Sequence, residues 1–537
     1  MLAQAKFARP SSDRHLARAI SKSTVLGVLA SATQVATRLV TVPIVIHHLG
    51  LGGYGIWSII MTTVTYMRFG TAGIKSAFQK YVAEATGNGE FETASRLVST
   101  GSISILVLSI VGLIPIALFS SGLAKHSGVP PEFLSQAASS ITVLALILTV
   151  ANFGAAYEAI VMGGHRIDLT RRFNIVTTIG EAIAIVVFLH FGYGLLAMAA
   201  IMGISELIYI LACYVVSRRI VPEIRVRISY FTTSVFPELI RFAGSFQLVN
   251  MLEVLYLAIL PIFILKFYGA DSAGIYALAL RVATAALVAQ DALALPILSG
   301  GTVVFASGSA ERMRRFLERS FKAMIAVTLP PLAFVSAFGS IVVLAWTGES
   351  GPYFGVAIAL VSLAGLFKAI SLLQLVLYRT TGRALLDNIR QLLRIAILLV
   401  VVLMGRRIGF YGLLVGLAVA ELVGVIFMFF VMSATFKGFN VRQVARDTLR
   451  ICVTTVMVLL AGFGAAMIPV HISSSVRLES AIKLGYIMIG CVLAMLPAAA
   501  LTRVMSPEER TTLLYTVMPW RRERLAVETP TETGISP

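Results

Sequence analysis

The chain has 537 residues, 58% of them hydrophobic and only 13% charged, with a mean hydropathy of +0.88. Too few polar residues remain to cover soluble domains of this total length, which excludes a water-soluble globular protein. The formal net charge of +18 would suit nucleic acid, but the Lys and Arg residues sit in alternate short loops between apolar runs and not in a stripe with interleaved aromatics. That pattern excludes a nucleic-acid binder and reads as an orientation signal.

The first 24 residues carry Lys6, Arg9, Arg14, Arg18 and Lys22 without an apolar core, so the first helix is expected to act as an uncleaved insertion signal. Apolar runs then predict helices over 24–47, 55–75, 97–121, 137–162, 173–191 and 194–217. A polar segment, 217–237, separates these from runs over 240–265, 273–304, 321–346, 354–378, 389–405 and 410–434. Two more, 449–470 and 480–502, complete about fourteen membrane crossings. The expected divisions are a basic tail 1–23, a six-helix lobe 24–220, a second six-helix lobe 221–436, an additional helix pair 437–505 and a tail 506–537. Cys213, Cys452 and Cys491 each fall inside an apolar run with no metal or redox spacing and read as packing residues.

Orientation follows from the parity of the loops. One side receives the N-terminal tail, Lys75, Lys80 and Arg96, Arg166, Arg171 and Arg172, and the run from Arg218 to Arg241. It also receives Arg312 to Lys322, Arg379 to Arg394, Lys437 to Arg450 and the C-terminal tail. The other side has only Lys125, Lys266, Arg406, Arg407 and Arg477. The basic side is expected to be cytosolic, with both termini there. The opposite loops are all short and offer no domain to house an active site.

An internal repeat runs through the two lobes. Pro43-Ile44 returns as Pro261-Ile262, Gly50-x4-Gly55-Ile56-Trp57 as Gly269-x4-Gly274-Ile275-Tyr276, and Tyr193-Gly194-Leu195-Leu196 as Tyr411-Gly412-Leu413-Leu414. Gly163 and Asp168 likewise return as Gly382 and Asp387. Each lobe contains an even number of helices, so the two enter the membrane with the same orientation, a parallel repeat of the kind that encloses a central cavity.

Several motifs are silent. Gly50-Leu51-Gly52-Gly53-Tyr54-Gly55 fits the dinucleotide fingerprint, but membrane helices flank it, so it reads as a tight outer turn. No phosphate-binding G-x-x-x-x-G-K-[ST] occurs, and His47 and His48 have no evident third ligand. No metal or cofactor is expected.

The informative residues are charges within apolar runs: Arg38, Arg68, Glu158, Glu181, Glu206, Glu253, Arg281, Asp291, Lys368 and Glu421. Each costs about 2.5 to 3.5 kcal/mol at mid-membrane, so it should face the protein interior or a wet cavity. Arg68 and Glu158 lie within snorkelling reach of the cytosolic interface, while Glu206 and Glu421 occupy comparable places in the two lobes and suit packing roles. Arg38, Arg281 and Lys368 sit deeper. A cationic cavity suits an anionic cargo, and arginine forks match a diphosphate better than a carboxylate. The alternative is that these cations pair with Glu253 and Asp291, which are also the candidate coupling acids.

His47-His48-Leu49-Gly50 through Tyr54-Gly55-Ile56-Trp57 resembles the "LG...YG.W" hallmark of polysaccharide flippases. The stretch from Gly73 to Lys80, Tyr81-Val82-Ala83-Glu84 and Gly87-Asn88-Gly89 resembles the loop after the second helix in that group. Ala273-Gly274-Ile275-Tyr276 with Arg281, and Leu344-Ala345-Trp346-Thr347-Gly348, resemble its second-half signatures. The resemblance, over residues 20–500, is to the polysaccharide transporter family, including Wzx-type O-antigen flippases, within the multidrug/oligosaccharidyl-lipid/polysaccharide superfamily.

That resemblance implies an all-α, V-shaped pair of lobes that carries undecaprenyl-diphosphate-linked oligosaccharide from the cytosolic to the periplasmic leaflet of the bacterial inner membrane by alternating access. Arg38, Arg281 and Lys368 would contact the diphosphate, with Arg68 toward the cytosolic mouth. A proton or sodium gradient is a candidate driving force, and a polysaccharide polymerase or assembly machinery a candidate partner. The competing readings are a lipid II-type flippase, whose arginine-rich first-helix signature is absent here, and an ion-coupled multidrug exporter. A membrane glycosyltransferase or polymerase would need a catalytic outer loop that this chain lacks. Alkaline phosphatase fused after Pro537 should be inactive, because the enzyme matures only outside the cytosol; high activity would overturn the orientation.

Overall fold

The computed structural model describes residues 13–504, except 165, 289, 436–439 and 470–474 and most of 291–308 and 372–383. Among the described residues, regular structure is helical throughout. The first helix, α1 (Asp13–Asn88), has 76 residues. At 1.5 Å per residue it would reach about 114 Å, several times the roughly 30 Å of a hydrocarbon core, so it must turn. It does so at one residue, Gly50, with φ 71° and ψ 172°, a conformation closed to residues with a Cβ. The expected outer turn is thus a single glycine between two helical arms.

Helices α2 (Phe91–His126), α3 (Pro131–Gly163), α4 (Ile167–His190) and α5 (Leu195–Ile220) complete the first lobe. The connection that follows is strapped to α2 by three hydroxyls. The backbone N–H groups of Arg225, Arg227 and Thr232 donate to Ser95 Oγ, Ser99 Oγ and Thr100 Oγ1 at 3.1, 3.1 and 3.0 Å. The second lobe begins with α6 (Phe236–Ala286), which turns at Gly269 with φ 84° and ψ 179°, in the repeat position of Gly50. Helices α7 (Ala310–Thr347), α8 (Pro352–Ser371), α9 (Ala384–Leu403) and α10 (Gly405–Thr435) follow. The repeat is visible again where Gly192 before α5 and Gly409 in α10 both take positive φ, 82° and 76°. Last come α11 (Val441–Ala466) and α12 (Val476–Leu501), packed on each other and on α7.

Eleven helices of the described residues are long and apolar enough to cross a membrane. Two of them contain the turning glycines and supply two arms each. A further helix, α9, is kept out of that set by its own Asp387, Arg390 and Arg394. Large side chains such as Leu118, Phe191, Leu403 and Leu496 point outward, as lipid-facing surfaces require and aqueous ones forbid.

The lobes are joined by their turns. The largest apolar cluster runs from α1 to α6, with Val42, Ile46 and Tyr54 on one side and Tyr256, Leu260 and Tyr276 on the other. Within it a Cβ on Gly55 would lie 2.5 Å from the Gly274 nitrogen, and one on Gly274 would strike the Leu51 carbonyl. The repeat-related glycines therefore let the two backbones touch.

A second tie follows from covalent chemistry. Pro43 has no N–H for the carbonyl four residues earlier, and the Trp346 indole of the second lobe donates to that Leu39 oxygen at 2.7 Å. Arg477 of α12 in turn donates to the Trp346 carbonyl at 2.5 Å, at the C-terminus of α7, where a cation is favoured by the helix dipole. Lys266 Nζ and His126 Nε2 meet at 3.1 Å beside these turns. All these contacts lie toward the end opposite the arginine-rich loops.

Replacing Gly55 with alanine should lower the thermal unfolding midpoint of the purified protein by an amount equivalent to about 1–3 kcal/mol, the usual cost of overpacking. Gly112→Ala, in a helix position with open space around it, should leave the midpoint unchanged or slightly raised. Equal midpoints for the two variants would show that the glycine seam does not hold the lobes.

Candidate substrate site

Arg38 and Arg281 come from different lobes, the first from the leading arm of α1 and the second from the trailing arm of α6. The fold brings them into one electrostatic neighbourhood together with Tyr54 and Glu181. Arg281 lies close enough to the buried Tyr54 hydroxyl to act on it electrostatically. Arg38 is accessible although flanked by groups of both lobes, as a residue lining a cleft is. Two guanidinium groups with one carboxylate nearby leave a surplus of positive charge in low-dielectric surroundings, which is suited to an oxyanion. Glu181, on α4, limits that surplus.

The second lobe holds a different arrangement. Glu253 on α6 accepts from Lys368 Nζ of α8 at 2.7 Å, from Gln391 Nε2 of α9 at 2.7 Å and from Arg394 Nη1 of α9 at 3.0 Å. Arg394 also pairs with Glu421 of α10 through its other terminal nitrogen, donates from Nη1 to the Gln391 side-chain Oε1 at 2.6 Å and lies 4.0 Å from the Tyr256 ring centroid. The Arg394 side chain is 0% exposed and that of Glu421 2%. Two acids balance two cations, so four helices are locked by a neutral cluster whose accessible end is Lys368, 41% exposed. One turn away, Arg390 bonds Asp387 at 2.8 Å, again buried.

The structure therefore brings Arg38 and Arg281 together and places Lys368 in an ion pair with Glu253. Asp291 and the side chain of Arg68 lie outside the described residues. Arg390 and Arg394 correct the sequence reading, which counted both among the basic loop residues. They belong to α9 and point inward, because Asp387, Arg390, Gln391 and Arg394 recur at three- and four-residue spacing and so share one helix face. That spacing was the available signal for the Arg394 cluster. Tyr256 carried no such signal, since an isolated Tyr in an apolar run is unremarkable.

A fold of two parallel helical lobes joined at their turns, with charged residues between and within them, is that of the MOP superfamily of membrane transporters. Solved structures agree. An inward-facing multidrug resistance MATE transporter of that superfamily superposes with a TM-score of 0.63 at 14% identity, covering 79% of this chain and 99% of that one. The lipid II flippase MurJ in an inward closed conformation gives 0.63 at 14% identity, covering 90% and 98%. The wider coverage differs by about the size of the α11–α12 pair. A MOP transporter from Pyrococcus furiosus, described as having a binding pocket of reverse polarity, gives 0.56 at 13% identity over 79% and 94%. Comparison with curated proteins finds no match. The sequence model of the family "Polysaccharide biosynthesis protein" matches residues 21–299, and the chain belongs to that family.

Removing one member of the buried cluster should be worse than removing a pair. Arg394→Met leaves Glu421 without its counter-charge, at a cost of about 3–5 kcal/mol, and should sharply reduce the yield of monodisperse protein on size exclusion. The double variant Arg394→Met with Glu421→Leu should recover most of that yield. An Arg394→Met protein as abundant as the parent would contradict a locking role.

Proposed function

We propose that this protein is a flippase, not an enzyme, that moves polyprenyl-diphosphate-linked oligosaccharide from the cytosolic to the periplasmic leaflet of a bacterial inner membrane by alternating access. The observation that carries the reading is the convergence of Arg38 and Arg281 from opposite lobes. An anion seated between them touches both lobes at once, so binding biases the equilibrium between open and closed arrangements. The headgroup needs a hydrated path and a cationic site, whereas the prenyl tail stays in lipid. Lys368, accessible while bonded to Glu253, is the third cation of the proposed diphosphate site, and Arg68 the cation toward its cytosolic mouth. Coupling to a proton or sodium gradient belongs to the same proposal, with Glu253 and Asp291 as the acids. So do cytosolic termini and a partnership with polysaccharide polymerase or assembly machinery.

The contacts at the turns leave the arginine-rich end as the route of entry, and the match to a polysaccharide biosynthesis family supports a glycan as the cargo. A lipid II-type precursor carries the same diphosphate, so the same arginines would serve it; rescue of polysaccharide export but not of cell-wall synthesis separates the two cargoes.

Arg38→Ala and Arg281→Ala should each cut surface polysaccharide export by more than roughly tenfold at unchanged protein abundance, the mark of lost binding and not of misfolding. Arg281→Lys should recover only part, since it keeps the charge but loses the fork. Alanine variants that are abundant and fully active would sink the assignment.

A further inference from the structure

The repeat that equates the two lobes relates a polar contact inside the first to the buried cluster inside the second. Gln34 of α1 and Glu253 of α6 stand 219 residues apart, the separation of Gly50 and Gly269. Each reaches the fourth subsequent membrane arm of its own lobe. Gln34 Nε2 donates to Asn174 Oδ1 of α4 at 3.2 Å, as Gln391 and Arg394 of α9 donate to Glu253. Beside Asn174 the first lobe holds a cavity of about 310 Å³, lined by Gln79 of α1, Glu158 of α3, Thr170, Arg171 and Asn174 of α4, and Tyr209 of α5. That volume lies at the lower end of small-molecule pockets, roughly 300–1,000 Å³.

We propose that this cavity is a sugar-binding subsite, taking a neutral monosaccharide-sized part of the cargo glycan. The lining argues for a polyol. A neutral group rich in hydroxyls uses carboxylate acceptor, guanidinium donors and two amides together. Tyr209 lines the same cavity and adds an aromatic wall. Position fits as well. Arg171, Asn174 and Glu181 follow one another along α4, facing Gly27, Gln34 and Arg38 of α1. Asn174 and Glu181 are two helical turns apart, about 10 Å, so a diphosphate held at Arg38 and Arg281 would leave its attached sugars beside the cavity.

The inference rests on the flippase reading, and binding to the purified full-length protein separates the two. The probes are undecaprenyl diphosphate alone and the same lipid bearing a neutral hexose, an N-acetylhexosamine or a hexuronate. The parent should bind a neutral glycolipid more tightly than the bare lipid and than the hexuronate. Asn174→Leu and, independently, Gln79→Leu should weaken the neutral glycolipid by roughly five- to tenfold, the loss of one or two hydrogen bonds, and leave the bare lipid unaffected. Arg281→Ala should weaken all probes alike. Because Asn174 also bonds Gln34, the Gln79 variant keeps the test informative if Asn174→Leu folds poorly. A parent that binds bare and sugar-bearing lipids equally, or variants that weaken both equally, overturns the sugar subsite while leaving the diphosphate reading standing. A parent that binds none of the lipids overturns both.

Discussion

A charge inside hydrocarbon must meet its counter-charge or stay in contact with water, because the bilayer offers it nothing else. Each interior feature of this protein answers that demand in one of two ways. The second lobe answers by neutralisation: Glu253, Glu421, Lys368 and Arg394 cancel, and Gln391 and Tyr256 occupy the remaining faces of the guanidinium. The other answer is room for water: the first lobe holds a polar cavity lined in part by Glu158 and Arg171, and Arg38 and Arg281 are held in one electrostatic neighbourhood from opposite sides. A buried pair of this kind is poor evidence of added stability, since apolar residues could pack as well. Its effect is on which helices stay together.

The seam at the turns sets what those two answers can produce. Backbone contact through Gly55 and Gly274 places the axis of any relative motion at one end, so displacement grows toward the arginine-rich end. Trp346 reinforces the same end by satisfying the carbonyl that Pro43 leaves without a helical partner. Proline here loosens a helix and at once supplies the acceptor that binds it to the other lobe. The lever arm of each lobe is then a bundle whose internal contacts need not change during the motion.

Much of this was legible in the sequence. The lengths of apolar runs follow from membrane thickness, and the glycines at 50 and 269 stand out because no other residue type takes their backbone torsions readily. Arg38 and Arg281 were visible as charges in apolar surroundings. The misreading of Arg390 and Arg394 has a physical origin. Loop counting treats a basic residue near a helix end as solvated, but a side chain's destination depends on helix face, and one face of α9 turns inward. Gln34, Asn174 and Gln79 escaped because uncharged amides hardly disturb hydropathy, although they line a polar interior as effectively as ions. Only the offset between Gln34 and Glu253 could have pointed to them.

That offset also explains how one ancestral arrangement can serve two ends. At equivalent positions a glutamine and a glutamate impose different completions. A buried carboxylate on α6 demands cations, and the lobe supplies Lys368 and Arg394, whose long side chains fill the interface and fix four helices against one another. An amide on α1 demands only a hydrogen bond, which Asn174 supplies at small volume. A lobe closed by its own charges is fixed as one bundle, whereas the first lobe keeps a polar cavity between its helices. The difference between two similar halves at this position thus follows from the charge of one side chain and the groups needed to neutralise it.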